Sequence, residues 1–342
     1  MPTTTSEKLR LPMVRLNLAR PFLEAALNAD AHVDKTLGQY CLTLNCFEDD
    51  DHFVTAATMY DVVESLAELS QDPFCGVHLG EALDPFKWSP LAEAAYSAVS
   101  VGDLLLRFSI DAYKDANSVE FKLETKGTRS TFTENRLTDN GRVPRHNDGF
   151  GAAYVLSILQ TALGDNWEGT QVLVKVCDPE VFPPNYADVK VATTDTNGFS
   201  VAFPSAWLLL EPQLHTTQCS ARPQITRNSA PEETLPTLRY ILAQHIHEPG
   251  LDADHVAHLC GISKRTLVRR LAELGTTLKQ ELDQLRQQQA QDMLTVGATG
   301  IAQIGEKLGY PDPTVFTRAF KRWTGTTPRE FREAIQRDST QR

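Results

Sequence analysis

Arginine side chains recur at a four-residue interval in the last third of the sequence, and they carry its clearest chemistry. Arg265 and Arg269 lie four residues apart, and Thr314 and Arg318 repeat that interval further along the chain. Residues four apart share one face of an α-helix. A guanidinium on such a face can donate two hydrogen bonds to the edge of a guanine in the DNA major groove. The pattern predicts two helices that each present a base-contacting face.

The residues before the first arginine pair predict the elements that position it. Asp252 is suited to cap a short helix over residues 253–259. Gly261 can take the left-handed backbone conformation that a tight turn between two helices requires. Ser263 can then cap a second helix over residues 264–274. This order predicts a helix-turn-helix unit in which the second helix carries the arginines.

The same arrangement recurs between residues 301 and 324. A helix with one apolar face ends at Gly309, and Asp312 is placed to cap the helix that follows. Pro313 fits the first turn of that helix, because this position has no intrahelical N–H bond to lose. The apolar residues expected in the core of the two units are Leu267, Leu271, Ile301, Ile304, Leu308, Phe316, Phe320 and Trp323.

The predicted DNA contacts are the cap, outward-facing and flanking residues of the two second helices. They are Ser263, Lys264, Arg265, Arg269, Arg270, Thr314, Thr317, Arg318, Lys321 and Arg322. A solvated, charged helix face is the alternative interpretation, and for a single helix it would be preferred. Two helices with arginine at the same place, each after a capped turn, favour a duplicated DNA-binding unit.

These motifs resemble the DNA-binding domain of the AraC family of transcription regulators. The resemblance rests on the segments SKRTLVRRL and LGYPDPTVFTRAFKRWTGTTPREFR and on the helix between them. It implies that Arg265, Arg269, Thr314 and Arg318 match base-facing positions, and that the protein activates transcription with double-stranded promoter DNA and RNA polymerase as partners. Four positions depart from the residues common in the family: Cys260, Gly305, Pro311 and Pro313.

A long amphipathic helix is predicted between the two units, over residues 278–294. Thr277 and Gln280 form a capping pair at its start. At 1.5 Å per residue such a helix is about 25 Å long. Two helices held apart by it could enter successive turns of the major groove, which lie about 34 Å apart on one side of the duplex.

Length and charge predict two domains. The 342 residues exceed the usual size of a single hydrophobic core. Residues 1–222 carry a net charge of −13 and residues 223–342 a net charge of +2. We predict an effector-binding and dimerisation domain over residues 1–222, a proline-rich linker over 223–234, and the DNA-binding domain over 235–342. Phosphate would repel the acidic domain, which keeps non-specific DNA affinity low.

The first domain is predicted to be α/β or α+β, and the second all-α. The run Asp49–Asp50–Asp51 is interpreted as the start of a helix. The predicted helices cover residues 20–31, 53–69, 72–83, 90–115 and 149–163, and the predicted strands cover 119–124, 130–134, 171–176 and 199–203. Segments such as DPFCGVHLGEAL and NGFSVAFPSAWLLLEPQL resemble the arabinose-binding-type α/β ligand domain of one branch of the AraC family. This resemblance implies a small-molecule effector and a homodimer but assigns no effector-binding residue.

Other interpretations of the sequence are weaker, and one alternative function stays open. The aromatic residues Trp88, Tyr96, Phe108, Tyr113 and Trp167 could line an effector pocket but are more typical of a core. Six scattered cysteines without paired spacing indicate free thiols in the cytoplasm. The open alternative is a DNA-binding regulator whose first domain only dimerises, or senses thiol oxidation. No catalytic, cofactor or metal motif stands out, and no apolar run is long enough to span a membrane.

Overall fold

The computed structural model describes residues 11–84, 98–137, 143–194, 197–213, 229–230, 234–248, 250–296 and 299–340. Two compact units divide the chain, one over Pro12–Ala230 and the other containing Pro231–Arg342. Of the predicted linker over 223–234, only residues 229, 230 and 234 lie within the described part of the chain. Of the helices that the structure describes, none combines the length and the apolar character needed to cross a bilayer.

The N-terminal unit combines helices with two β-sheets, which confirms the mixed fold class. Its described helices are α1 (Arg20–Asn28), α2 (Val33–Gly38), α3 (Ala56–Leu69), α4 (Cys75–Ala82), α5 (Val101–Asp115) and α6 (Arg145–Leu163). Its described strands are β1 (Met13–Arg15), β2 (Phe53–Thr55), β3 (Val119–Lys126), β4 (Arg129–Arg136), β5 (Leu173–Val176), β6 (Lys190–Thr193) and β7 (Gly198–Pro204).

The main sheet positions the interior of this unit. Within the described residues its strand order is β3-β4-β7-β5-β6, with β5 and β6 parallel and the other neighbours antiparallel. Strands β3 and β4 form the predicted hairpin around Gly127. Alternate residues of β4 are buried, namely Ser130, Phe132, Glu134 and Arg136. This period of two places an acidic and a basic side chain on the same face as a core phenylalanine.

Two hydrophobic clusters fill the N-terminal unit. One joins α5, α6 and the main sheet, and the other joins α1, α2 and α3. Helix α6 carries thirteen buried residues, so it lies inside the unit rather than on its surface. Helix α4 packs closely against α6 because Gly76 and Gly80 present no side chain there. A Cβ added at Gly76 would lie 2.0 Å from the carbonyl oxygen of His146.

The prediction that the aspartate run starts a helix is wrong. Residues Phe53–Thr55 form β2, which pairs with β1, and the helix begins only at Ala56. The cap is Thr55, whose side chain accepts a hydrogen bond from the backbone N–H of Thr58. Asp51 instead lies 3.1 Å from the guanidinium of the fully buried Arg15. The acidic run therefore serves a long-range ion pair, which local sequence cannot indicate. The first part of the helix predicted over 90–115 lies outside the described residues.

The C-terminal unit is all-α, as predicted. Its described helices are α7 (Thr234–His245), α8 (Ala253–Leu259), α9 (Lys264–Glu273), α10 (Leu278–Val296), α11 (Ile301–Lys307), α12 (Pro313–Thr324) and α13 (Pro328–Thr340). One hydrophobic cluster joins the long α10 to the second helical pair, and its buried members are Ile246, Ala290, Leu294, Ile304, Leu308, Phe316 and Phe320.

Candidate nucleic-acid interface and internal pocket

The first helix-turn-helix unit is built by the residues that predicted it. Asp252 caps α8, where its carboxylate accepts hydrogen bonds from the backbone N–H groups of Asp254 and His255 at 3.0 and 2.9 Å. Gly261 has a φ of 62°, the left-handed conformation expected of the turn. Ser263 then caps α9 by accepting from the N–H of Thr266 at 3.1 Å. These caps fix where α9 begins and which of its faces points outward.

The second unit repeats this construction. Asp312 caps α12 by accepting from the N–H of Thr314, and Pro313 occupies the first turn. Gly309 has a φ of 75°, and a Cβ added there would lie 2.6 Å from the carbonyl oxygen of Ile246. Glycine is therefore required at this turn for two reasons, its backbone conformation and the close approach of the chain.

Counting from each cap shows that α9 and α12 are equivalent. The residues four and eight positions after the cap are buried: Leu267 and Leu271 in α9, and Phe316 and Phe320 in α12. The residues two and six positions after the cap are exposed: Arg265 and Arg269 in α9, and Thr314 and Arg318 in α12. Both helices thus have a packed face and an exposed polar face, and the two faces stand at the same positions relative to the helix cap.

The basic side chains of the two helices differ in their protein partners. Lys264 lies 2.6 Å from Asp254, and Arg269 lies 3.6 Å from Glu273. Arg322 donates to both carboxylate oxygens of Asp283, on α10, at 3.0 Å. Three further cations make no hydrogen bond and no salt bridge with any described residue. They are Arg265, Arg318 and Lys321. Those three cations need break no protein contact to reach a ligand.

Three of the predicted contact residues do not share the exposed face. Arg270 follows its cap by seven positions, as the buried Ala319 does, and is half-buried. Burial lowers the pKa of its guanidinium, and burial also raises the pKa of the nearby Cys260 thiol to about 12. The hydroxyl of Ser263 serves as a helix cap, and that of Thr317 donates to the carbonyl oxygen of Pro313 at 2.9 Å. The hydroxyls of Ser263 and Thr317 are thus engaged in hydrogen bonds within their own helices, and Ser263 does this at an exposed position.

Helix α10 joins the two units through buried polar contacts that sequence reasoning missed. Glu281 on α10 is buried and accepts hydrogen bonds from Arg239 of α7 and from Thr276, at 2.7 and 2.6 Å. Burial opposes ionisation, but these two donors outweigh it and hold the pKa of Glu281 below its usual value. Further along α10, Arg286 donates to the carbonyl oxygen of Leu308 at 3.1 Å. One helix therefore contacts the segment that follows α9 in the first unit and the turn of the second unit.

A second candidate site lies inside the N-terminal unit, where its two hydrophobic clusters meet. A cavity of about 120 Å³ opens between α3, α5, α6 and the main sheet. Its lining is largely apolar, and six of its aromatic members are Phe22, Phe108, Phe121, Phe150, Tyr154 and Phe199. Of the aromatic residues considered from the sequence, Phe108 lines this cavity, Trp167 packs against Trp207, and Trp88 and Tyr96 lie outside the described residues.

Besides Asp115, Asn147 and Tyr154, three polar side chains border this cavity. They are Tyr60 on α3, Ser118 before β3 and Glu134 on β4. Oε1 of Glu134 is buried and has no hydrogen-bond partner among the described residues, and the buried hydroxyls of Tyr60 and Ser118 have no described partner other than each other. Burial and the neighbouring Asp148 raise the pKa of Glu134 to about 8. At neutral pH this carboxyl group is largely protonated.

Sequence reasoning assigned none of these three residues. The available signal was the alternation of β4, which places Glu134 in line with Phe132 on the buried face. An acidic residue at an apolar position of a strand is informative, because buried polar groups need partners.

Both halves of the chain match known families. Residues 231–334 match the family model of a helix-turn-helix domain. Residues 32–187 match that of the arabinose-binding domain of AraC transcription regulators, an N-terminal domain. Together the two segments cover more than half of the 342 residues. The chain belongs to the AraC family of transcription regulators.

Individual relatives match over shorter stretches. The chain is 40% identical over 83 residues to the ornithine utilization regulator of Pseudomonas aeruginosa, which is 24% of each chain. It is 30% identical over 96 residues to the arabinose operon regulatory protein of Escherichia coli K12, covering 28% of this chain and 33% of that one. The crystal structure of the regulator CdpR from Pseudomonas aeruginosa aligns at 19% identity over 79% of this chain and 91% of that one, with a TM-score of 0.35. The two curated relatives are thus matched over a quarter to a third of their length.

Proposed function

We propose that this protein is a cytoplasmic transcription activator that binds promoter DNA through α9 and α12 and responds to a small molecule in its N-terminal domain. The observation that carries the proposal is the repeated exposed face of the two helices. Arginine or threonine stands two and six residues after each cap, opposite a buried apolar face. A helix-turn-helix domain places such a face against base edges in the major groove.

The partner contacts of the basic residues suggest how they divide the work. We assign base contacts to Arg265, Arg269, Thr314 and Arg318, because these side chains are exposed on the equivalent faces. Lys264, Lys321 and Arg322 are assigned to phosphates. A paired cation can contact a phosphate oxygen while it keeps its carboxylate neighbour, since ammonium and guanidinium groups carry several donors. Ser263, Arg270 and Thr317 position the helices.

The length of α10 suits two contacts on one side of the duplex. Its 19 residues are about 28 Å long at 1.5 Å per residue. Successive turns of the major groove lie about 34 Å apart. The length of the linking helix is of the same order as this repeat. Each recognition helix would therefore enter its own turn of the groove.

Footprinting on a mapped promoter site tests this arrangement. Wild-type protein should protect two major-groove segments that lie about one helical turn apart. Arg269→Ala should weaken protection of one segment, and Arg318→Ala should weaken protection of the other. Equal, undiminished protection of both segments by both variants would contradict the assignment of α9 and α12 as the two readers.

Control by a small molecule is supported by the cavity in the N-terminal unit. Buried polar groups without partners are costly unless something fills their hydrogen-bonding capacity. Beside its aromatic wall the cavity holds Oε1 of Glu134, which has no described partner, and the hydroxyls of Tyr60 and Ser118, which have none other than each other. Effector binding there would regulate DNA binding if the ligand prefers one arrangement of the domains. RNA polymerase is the further partner that activation requires.

A homodimer is supported by an exposed apolar pair on α5. Leu106 and Ile110 lie four residues apart and are 52% and 70% exposed. Charged pairs of both signs flank them on the same helix, which suits a self-complementary contact with a second copy. Ile110→Glu should shift the sedimenting species toward monomer. Leu27→Glu, at a 43% exposed apolar position on α1, serves as the control.

The second candidate function is a regulator that senses thiol oxidation without a small ligand. Burial raises the pKa values of the Cys75 and Cys177 thiols, which opposes formation of the reactive thiolate. Cys41 is exposed, so the hypothesis depends mainly on that thiol within the described part of the chain. Cys41→Ser should leave regulation by a metabolite intact under the first proposal. Loss of all regulation in this variant would favour the second.

A further inference from the structure

The cavity in the N-terminal unit is poorly suited to a sugar. A sugar carries hydroxyl groups around its whole ring, and each one needs a partner when it is buried. Among the described residues, the fully buried polar atoms of the lining that lack a partner outside the cavity belong to Tyr60, Ser118 and Glu134, and the half-buried amide of Asn147 adds a fourth polar group. The larger part of the described lining is aromatic or aliphatic. This distribution suits a ligand with an apolar body and a single polar group.

The charges around the cavity favour a cation as that polar group. No Lys, Arg or His stands among the described residues of the lining, so an anionic group would find no counter-ion. Asp115 also lines the cavity, but its carboxylate lies 2.6 Å from the guanidinium of Arg15. Arg136 lies behind Glu134 and is bonded to Asp148. Glu134 is therefore the acidic group of the lining whose oxygen remains available to a ligand.

The size and chemistry of the wall agree with a compact organic cation. Phe108 lies 5.2 Å from Phe121 between ring centroids, and Phe150 lies 6.4 Å from Tyr154. Aromatic faces attract a cation, the more strongly when water is excluded. A cavity of about 150 Å³ accommodates benzene in another protein. The 120 Å³ found here is smaller but of the same order, so a single ring is the upper limit for the apolar body.

We propose, as a refinement of the proposed effector control, that the effector is a small apolar amine bound as its ammonium ion with Glu134 as counter-ion. The ammonium group donates to Oε1 of Glu134 and to the hydroxyl oxygens of Tyr60 and Ser118. The hydrocarbon part lies against the phenylalanine side chains.

Binding of an ammonium ion ionises Glu134 and releases its proton to solvent. The protonated carboxyl group and the ammonium ion become a carboxylate–ammonium pair plus one free proton. In the empty cavity burial raises the pKa of Glu134 to about 8, while Arg136 opposes that shift and Asp148 adds to it. Affinity should therefore rise about tenfold per pH unit up to pH 8 and level off above it. It should fall again where the amine itself loses its proton.

Calorimetry on the full chain tests the proposal with three probes of similar shape: benzylamine, benzyl alcohol and benzoate. Benzylamine should bind most tightly, and at pH 7 it should release close to one proton, measured from the dependence of the heat on the buffer's ionisation enthalpy. Glu134→Gln should lower the affinity for benzylamine by about tenfold or more, because a charge-assisted hydrogen bond is lost. The same variant should change the affinity for benzyl alcohol by less than about threefold. Since Glu134 is largely neutral at pH 7, glutamine mimics its unliganded form and should fold.

Several results would overturn the amine assignment. They are no binding of benzylamine, tighter binding of benzoate or benzyl alcohol, or an unchanged affinity in Glu134→Gln. Proton release is measured on wild-type protein, so the proposal stays testable even if the variant is unstable. DNA titrations separate the two proposals. If benzylamine binds through Glu134 but leaves operator affinity unchanged, the ligand assignment holds and effector control fails.

Discussion

Replacement of Arg318 by alanine should selectively remove specific DNA binding. Arg318 is exposed on α12 and makes neither salt bridge nor hydrogen bond with any described residue, so its removal costs the folded protein neither kind of contact with the described residues. A bidentate arginine–guanine contact contributes about 1–3 kcal/mol of discrimination, so Arg318→Ala should weaken operator binding about 5- to 150-fold. Arg322→Ala should have a smaller effect on the operator, together with at most about 1 kcal/mol of lost stability from its exposed pair with Asp283.

Fluorescence anisotropy at one fixed salt concentration measures this effect, because phosphate contacts make the affinity depend on salt. Arg329→Ala is the matched control, since Arg329 is an 81% exposed arginine on α13 that is paired with Glu333. It should bind the operator as wild type does. Circular dichroism should show unchanged helix content in both variants. If Arg318→Ala binds the operator as tightly as Arg329→Ala, α12 does not read bases and the inferred equivalence of the two helices is misplaced.

Three further changes test the packing that positions the readers. Phe316→Ala empties a fully buried site and should lower the free energy of unfolding by about 3–5 kcal/mol in urea titrations. Glu281→Gln should destabilise by about 1–3 kcal/mol at pH 7. Because the pKa of Glu281 is lowered in the folded protein, its contribution is complete above 4.5 and is lost as the pH falls through the folded value, so the two proteins should converge in acid. Gly309→Ala strains the left-handed turn and should lower the melting temperature, whereas Lys307→Ala, on the exposed side of α11, should not.

The DNA-binding unit was predictable because its signals are local. The caps at Asp252, Ser263 and Asp312 act on N–H groups within three residues, and the apolar face of each helix follows its period. The burial of a side chain by other parts of the domain was not predictable in the same way. Arg270 carries a charge next to the exposed Arg269, yet its position seven residues after the cap faces inward. Its burial follows from the packing of α9 and not from its residue type.

The N-terminal site was not predictable because its residues come together only in the folded unit. Tyr60, Ser118 and Glu134 are separated by 58 and 16 positions in the sequence and meet at one cavity. The same reason explains the error at the aspartate run. Arg15 draws Asp51 into an ion pair across 36 positions, and β1 recruits the following residues into a strand. Long-range pairing overrides local helix signals where the chain must satisfy a buried charge.

The most direct measurement of whether the N-terminal unit controls DNA binding is a pair of effector titrations. Benzylamine is titrated into the full chain by calorimetry, once alone and once with saturating operator DNA. If effector and DNA favour the same arrangement, operator DNA must tighten benzylamine binding by the same factor by which benzylamine tightens operator binding. We expect a factor of about 5–150, the usual range of coupling between two sites. Identical benzylamine affinities in the two titrations would contradict control of DNA affinity and would require regulation to act after binding, through contact with RNA polymerase.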